Sequence, residues 1–474
     1  MTLSPEDLRL EALAQEGEAR ALAAADWEYD AFGPVEPLAG QNRADPITAT
    51  PFGWPDPVTI PRRRWLFGRW LLRGEVTAIV APGGVGKSTF TTGMALSLAS
   101  GQPFLAKALP EGARSVWLWN LEDDREELDR QVSACSLRHG VGAMDCGPRL
   151  YVDSGIDQTL CTAIEGERGL EIIEPIYLAM KAEIERRGID VLIVDPFVSS
   201  HQVSENDNGA VDKVTKRWKQ LASETRCSIV LVHHTKKMGG RELRAEDSRG
   251  AVALINTARS TLVFNPMSAE EAERFGITDR AEQRTIIRID DDKPNRAPPE
   301  SATWIKLESI DLGNSEGLHP SDAVGAACPW TPPDPFDGLS LRDLYNVQQA
   351  IAGGEFGADV QAKDWAGQAV ADVLGFDLDD TAHKARVKSL IKTWKANKAL
   401  KVEKRTATSG KERPFLIVGD WVDPTTFSTF QGGVEKVLKV VCATNRNTAS
   451  TTTPIKGGGG GGGEWTDHSK VAAE

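Results

Sequence analysis

The chain has 474 residues, a hydrophobic fraction of 40% and a formal net charge of −13, and its length is enough for about two to three domains. No apolar run reaches the roughly 18–20 residues that cross a bilayer. The acidic N-terminal stretch lacks the basic start and apolar core of a signal peptide, so we expect a cytoplasmic protein without a membrane partner. The cysteines are scattered, which argues against a zinc site and for reduced thiols.

An acidic N-terminal extension at residues 1–50 is followed, over residues 51–312, by alternating strand and helix patterns. The predicted strands are Glu75–Val80, Ser115–Leu121, Val191–Val194 and Ser228–His233. The predicted helices are Lys87–Ser100, Arg125–Ser136, Pro175–Arg187 and Gly209–Thr225. Near-continuous apolar strands that alternate with helices are typical of a mostly parallel sheet covered on both faces, so we predict an α/β domain here.

The stretch Ala81–Thr89, with the sequence APGGVGKST, follows the first of these strands and opens a helix. Strand, glycine-rich loop and helix are the context in which a P-loop binds the phosphates of a nucleotide. Lys87 would reach the β- and γ-phosphates, and the Ser88 hydroxyl would bind Mg²⁺, so the predicted cofactors are ATP and Mg²⁺. The predicted nucleotide-binding residues are Gly83, Gly84, Val85, Gly86, Lys87, Ser88 and Thr89.

Two carboxylates at strand ends complete the predicted ATP site. Asp195 directly follows an apolar strand, and the carboxyl end of a parallel strand is where ligands bind in such sheets, so we expect Asp195 to orient Mg²⁺. Glu122 follows the preceding predicted strand and is the candidate general base for the attacking water. The alternative is that the acids at this point only cap the next helix, as Asp123 or Asp124 would do equally well.

The order of these motifs resembles that of the RecA-like ATPases, and most closely that of the RepA-type hexameric replicative helicases of plasmids and phages. The most specific pieces are CSIVLVHHTKK, which begins at Cys227, and SRGAVALINTARSTLVF, which begins at Ser248. The resemblance covers residues 62–312. It implies a RecA-like P-loop core, a hexameric ring with ATP between subunits, single-stranded DNA as the partner, and a replication initiator or primase as a further partner class.

The resemblance also assigns roles near the γ-phosphate. His234 lies where RecA-like proteins keep a polar sensor at the end of a central strand, and His233 would assist it. Arg249 corresponds to an arginine finger that reaches the γ-phosphate in the neighbouring subunit. Lys293 and Arg296 form the alternative finger pair. The structural alternatives are a histidine pair that merely ends a strand and an arginine that forms a surface salt bridge.

A basic, glycine-containing segment lies between His234 and Arg249, and its basic residues are Lys236, Lys237, Arg241 and Arg244. The resemblance implies that this loop faces the channel of the ring and contacts single-stranded DNA. Basic side chains suit sequence-neutral binding of phosphates. The alternative is a solvated surface loop. The polar, weakly acidic Ser199–Lys213 is a second candidate channel loop.

The composition changes after residue 312. We predict a linker at 313–337, a small domain at 338–422, and a tail at 423–474 whose Gly/Thr/Ser composition cannot bury enough apolar area to order itself. The predicted helices and hairpin strands of the small domain are Leu341–Ile351, Trp365–Leu374, Thr381–Lys398, Ala399–Lys404 and Arg413–Val418. Helices followed by a two-stranded hairpin resemble a winged-helix domain.

Basic residues far outnumber acidic ones along the last helix and the hairpin, which is the local charge pattern of a nucleic-acid surface. The predicted DNA contacts of this domain are Lys388, Lys392, Lys395, Lys404 and Arg405. The alternative is a solvated, lysine-rich helix face that docks on protein.

Together these patterns predict an ATP-dependent DNA helicase or translocase that moves on single-stranded DNA during plasmid or phage replication. One alternative is a RecA-like ATPase that loads or remodels other proteins on DNA. Another is a DNA-binding regulator that uses ATP as an assembly switch. The predicted catalytic residues are Lys87, Glu122, Asp195, His234 and Arg249.

Overall fold

The computed structural model describes residues 48–166, 169–235, 243, 252–292, 302–406 and 412–424. The chain divides into two compact units at the boundary between Arg62 and Arg63. The described part of the first unit contains a short 3-10 helix at Pro57–Thr59. All elements named below belong to the second unit.

The strands of the second unit are β1 (Trp65–Phe67), β2 (Leu71–Leu72), β3 (Val76–Pro82), β4 (Val116–Asn120), β5 (Leu150–Ser154), β6 (Ala163–Gly166), β7 (Gly169–Ile172), β8 (Val191–Asp195), β9 (Ser228–Thr235), β10 (Ser260–Pro266), β11 (Ile286–Asp291), β12 (Thr303–Asp311), β13 (Ala323–Trp330), β14 (Phe356–Gly357), β15 (Leu400–Thr406) and β16 (Glu412–Val418). The helices are α1 (Lys87–Ser100), α2 (Arg125–His139), α3 (Ala143–Cys146), α4 (Glu174–Arg187), α5 (Asn208–Thr225), α6 (Val252–Thr257), α7 (Ala269–Phe275), α8 (Arg280–Thr285), α9 (Leu341–Ala352), α10 (Ala366–Leu374) and α11 (Thr381–Ala396). Short 3-10 helices lie at Gly147–Arg149 and Phe197–Ser200.

A nine-stranded sheet forms the centre of this unit, with the strand order β13-β12-β11-β10-β3-β9-β8-β4-β5. The strands from β10 to β5 run parallel to one another. β11, β12 and β13 extend the sheet beyond β10 in antiparallel pairs. The predicted α/β class with a mostly parallel sheet is confirmed, and the arrangement is that of a RecA-like P-loop core.

Successive residues of the central strands point to opposite faces of the sheet, and helices cover both faces. Ile193 of β8 packs in a cluster with Phe90 of α1, whereas the next residue, Val194, packs in a cluster with Trp218 of α5. Burial on both faces explains why these strands are continuous apolar runs without a polar alternation.

Residues 313–337, predicted as a linker, include the edge strand β13. Ala326 and Ala327 of this strand are fully buried, and the Ala327 carbonyl oxygen lies 2.9 Å from Nε2 of His139 on α2. A side chain added at Gly325 would lie 3.7 Å from Thr89 of α1. The prediction was wrong for this stretch because a strand that packs closely against helices needs small residues, and its composition therefore resembled a loop.

The C-terminal subdomain, residues 338–424, has its own apolar core. α9, α10 and α11 surround Trp394, and a three-stranded sheet with the order β14-β16-β15 closes the other side. The predicted helices and hairpin are confirmed, with ends that shift by at most two residues. Every helix among the described residues is too short or too polar to traverse a lipid bilayer.

Candidate functional site

The P-loop joins the end of β3 to the start of α1 through residues 83–86. Gly84 has φ +79° and Gly86 has φ +78°, a left-handed conformation that glycine adopts without a Cβ penalty. Gly86 is constrained a second time, because a Cβ at this position would lie 2.5 Å from Cδ1 of Leu307 on β12. β12, in the antiparallel part of the sheet, therefore packs directly against the phosphate-binding loop.

These contacts predict a graded loss of stability in the P-loop. We expect Gly86→Ala to lower the free energy of unfolding by about 1 kcal/mol more than Gly84→Ala does, since only the first forces a neighbouring side chain, that of Leu307, to move in addition to straining the backbone. Gly84 is the matched control, because a Cβ there meets no atom of the described residues within 4 Å. Thermal unfolding without nucleotide measures both variants. In a Leu307→Ala background Gly86→Ala should cost less stability than it does in the parent. Equal losses for the two glycines would contradict the assignment.

Lys87 is the first residue of α1, and only 3% of its surface is exposed. Its Nζ donates a hydrogen bond to the Pro82 carbonyl oxygen at 2.8 Å, so the ammonium lies over its own loop. Burial lowers the pKa of Lys87, and the charges of Asp195 and Glu122 oppose this shift. The three predicted residues are thus close enough to interact electrostatically.

Asp195 is the last residue of β8 and is 1% exposed. Its Oδ2 accepts a hydrogen bond from Oγ1 of Thr91, one turn into α1, at 3.3 Å. Burial raises the pKa of Asp195 to about 6, while hydrogen bonds from Ser88 and Thr91 and the charge of Lys87 oppose the rise. The two predicted metal ligands, Ser88 and Asp195, therefore face each other, and Thr91 is a neighbour that the sequence motif did not identify.

The side chain of Asn120, the last residue of β4, forms three hydrogen bonds to the residues that follow it, and we call this set of bonds the clamp. It separates the roles of the three acids after β4. Oδ1 of Asn120 accepts hydrogen bonds from the backbone N–H groups of Glu122 at 2.9 Å and Asp123 at 2.8 Å. Its Nδ2 donates to the Asp123 carboxylate at 3.1 Å. Asp124 is the N-cap of α2, because its carboxylate accepts the Glu127 N–H at 2.8 Å.

Glu122 is therefore the acid of this group whose side chain takes part neither in the clamp nor in the helix cap. It is exposed, and its charge acts on both Lys87 and Asp195. A carboxylate in this position is suited to accept a proton from water. A sequence signal for the clamp existed in Asn120, a polar residue at the end of an otherwise apolar strand.

β9 lies between β3 and β8 and carries the histidine pair to the P-loop. His234 pairs in register with Ala81 of β3, and burial together with the Lys87 charge lowers its pKa. Burial lowers the pKa of His233 to about 4, and its Nδ1 is 3.9 Å from the Glu205 carboxylate. Among the residues that the structure describes, Nε2 of His234 is buried with no hydrogen-bond partner, and such an atom costs about 1–3 kcal/mol unless a ligand satisfies it.

The residues brought together here fit ATP with Mg²⁺. A serine hydroxyl and a carboxylate are oxygen donors of the kind that Mg²⁺ prefers. Lys87, the glycine-rich loop and the start of α1 supply the positive potential that phosphates require. The unpaired His234 nitrogen is a further polar group available to a phosphate oxygen.

Several predicted site residues lie outside the described residues, namely Arg249, Lys293, Arg296, Lys236, Lys237, Arg241 and Arg244. Leu243, within the predicted DNA loop, is described and is 3% exposed. Its N–H donates to Oδ1 of Asn265 on β10 at 2.7 Å, and its carbonyl accepts from Nδ2 of the same side chain at 3.1 Å. Asn265 thus fixes Leu243 to the sheet, which the sequence did not indicate.

The predicted DNA contacts of the C-terminal subdomain are in different environments. Lys392, Lys395 and Lys404 are exposed. Arg405 is also exposed and pairs with Glu403 of its own strand at 2.6 Å. Lys388 forms an ion pair of 2.8 Å with Glu273 of α7 in the ATPase core, so part of the basic face of α11 contacts protein.

A protein-family model described as an AAA domain matches residues 41–240. The matched range contains the P-loop, Glu122, Asp195 and the histidine pair, so the comparison and the site geometry agree. This agreement supports a P-loop ATPase family and a nucleotide-dependent activity, with ATP hydrolysis as the general reaction.

Proposed function

We propose that this protein is an ATP-driven helicase or translocase that moves on single-stranded DNA, with plasmid or phage replication as its setting. The observation that carries the proposal is the position of β9 beside the P-loop strand. β9 brings His234 to the phosphate site, and the basic segment that begins with Lys236 and Lys237 follows it directly. One strand therefore connects the nucleotide to the residues best suited to bind DNA phosphates.

In this proposal ATP with Mg²⁺ supplies the transferable phosphoryl group and the metal charge. Lys87 would bind β- and γ-phosphate oxygens, and Ser88 and Asp195 would provide the oxygen donors for the metal. The Glu122 carboxylate would orient the attacking water and accept its proton as the new bond to the γ-phosphorus forms, while the bond from that phosphorus to the β–γ bridging oxygen breaks and ADP leaves.

We propose that His234 couples hydrolysis to movement. Its free nitrogen would hydrogen-bond a γ-phosphate oxygen and would lose that bond when phosphate leaves. Since Leu243 is fixed to Asn265, a shift of His234 would act on the basic residues between these two points. Arg249 would supply positive charge to the neighbouring subunit in a hexameric ring, with Lys293 and Arg296 as the alternative pair.

The C-terminal subdomain enters the proposal as a winged-helix-like DNA-binding unit. Its chain order α9-β14-α10-α11-β15-β16 and its strand order β14-β16-β15 support this view. A helix of the size of α11 fits the major groove of duplex DNA, and Lys392, Lys395 and Lys404 would contact phosphates.

We expect single-stranded DNA to stimulate ATP hydrolysis by the purified protein by about ten-fold or more, since basic residues that follow the sensor strand would transmit DNA binding to the catalytic site. Steady-state phosphate release with and without a single-stranded oligonucleotide measures the effect. Lys87→Ala is the control and should abolish both the basal and the stimulated rate. A DNA-independent rate would contradict the motor and favour the loader or the switch-type regulator.

A further inference from the structure

The basic face of α11 packs against the acidic helix α7 of the ATPase core. Nζ of Lys388 lies 2.8 Å from Oε1 of Glu273, and the two side chains are 34% and 67% exposed. Lys388, Lys392 and Glu270 all line a cavity of about 310 Å³ between the helices. Two of the lysines predicted to contact DNA, Lys388 and Lys392, thus lie beside carboxylates of the same chain.

A close backbone contact fixes the same two helices between the end of α7 and the start of α11. Gly276, which ends α7 with φ +73°, approaches Ala382 in the first turn of α11. A Cβ at Gly276 would lie 2.6 Å from Cα and 2.8 Å from Cβ of Ala382. Because the neighbouring atoms are backbone and Cβ, rotating a side chain cannot relieve such an overlap, so this approach requires glycine.

We propose that α7 is a built-in competitor of duplex DNA, in which the Glu273 carboxylate occupies the place of a DNA phosphate on Lys388 and holds the C-terminal subdomain in a DNA-excluding position. The inference rests on the DNA-binding role proposed above for this subdomain. A half-exposed ion pair contributes only about 0–1 kcal/mol, and cavities border the contact, so the interface is suited to open. Duplex DNA offers many phosphates and would displace it.

Two kinds of variant would open the interface between α7 and α11 by different means. Glu273→Gln removes the competing charge, and we expect it to tighten duplex binding by about two- to five-fold. Gly276→Ala leaves all charges in place and separates the helices by steric overlap, and we expect it to tighten duplex binding by about ten-fold. Fluorescence anisotropy of a labelled duplex with the full-length chain measures both effects.

Each variant has a matched control within the ATPase core. Glu282→Gln also removes one carboxylate and one ion pair, but its partner is Lys306 on β12. Gly188→Ala places an alanine in the left-handed conformation at another helix C-cap, where a Cβ meets nothing within 4 Å in the described part of the chain. Neither control should change duplex affinity.

Unchanged duplex binding in both Glu273→Gln and Gly276→Ala, or no duplex binding by any of the proteins, would overturn the inference. Stimulation of ATP hydrolysis by single-stranded DNA, measured on the same preparations, tests the proposed motor separately. If single-stranded DNA stimulates ATP hydrolysis by the parent protein but neither variant binds duplex DNA more tightly than the parent, the result contradicts only the competitor role of α7.

Discussion

Replacing Glu122 with glutamine is expected to lower kcat for ATP hydrolysis by about 10²–10⁴-fold, while the Kd for ATP stays within about three-fold of the parent value. Glutamine keeps the size of the side chain and the backbone hydrogen bond to Asn120 but cannot accept a proton from water. Single-turnover hydrolysis and binding of a fluorescent ATP analogue separate the two quantities.

Glu126→Gln is the matched control for this prediction. Glu126 is exposed on the first turn of α2 and pairs with Arg130, so the change removes an equal charge four residues away. Its kcat should remain near the parent value. If Glu122→Gln instead weakens ATP binding and leaves kcat unchanged, Glu122 serves nucleotide binding and another group activates water.

Asp195→Asn is expected to abolish ATP hydrolysis and, at pH 8 without nucleotide, to raise the stability of the ATPase core. Burial raises the pKa of Asp195 from 3.8 to about 6, so the folded state disfavours the ionised form. Between about pH 4 and pH 6 the folded protein therefore binds more protons than the unfolded chain does. Its free energy of unfolding falls as the pH rises through this range. The cost at pH 8 is of order 3 kcal/mol, because one pKa unit corresponds to about 1.4 kcal/mol.

Thermal unfolding of the parent and Asp195→Asn at pH 4 and pH 8 measures this cost. The melting temperature of Asp195→Asn should exceed that of the parent by a large margin at pH 8 and by a small one at pH 4, where the parent carboxyl is already protonated. Asp372→Asn, at an exposed position on α10, makes the same chemical change without burial and should have little effect at either pH. ATP with Mg²⁺ should stabilise the parent but not Asp195→Asn. If the difference in melting temperature between Asp195→Asn and the parent is the same at pH 4 and pH 8, the buried carboxylate carries no such cost.

The parts of the fold that sequence predicts best are those whose signal is local. The strand that ends at Asp195 is a continuous apolar run, and α1 begins at Lys87 and ends before Gly101 as its pattern indicates. Buried parallel strands and glycine-capped helices leave such signals because burial and backbone conformation restrict the residue type. The P-loop and the carboxylates at the strand ends were recognisable for the same reason, because each is identified by residues that are neighbours in the sequence.

The features that sequence did not predict depend on partners distant in the chain. β13 consists mostly of small residues because Gly325 and Ala327 must approach two helices, so its composition resembled that of a linker. The pair Leu243–Asn265 joins a loop to a strand 22 residues away, and the ion pair Lys388–Glu273 spans 115 residues. A lysine-rich helix has the same sequence whether it faces DNA or an acidic helix, so only tertiary structure reveals this contact.

The end of β13 at Trp330 limits how far the C-terminal subdomain can travel. Phe336, two residues before the subdomain, is already held by it, because it packs against Trp394, and the Pro335 carbonyl accepts a hydrogen bond from Arg386 at 2.8 Å. Only residues 331–335 remain as a tether, and five residues span at most about 17 Å. Three of them are prolines, which stiffen the tether further. After undocking, α11 would therefore remain at high local concentration near α7 and would return quickly once DNA is released.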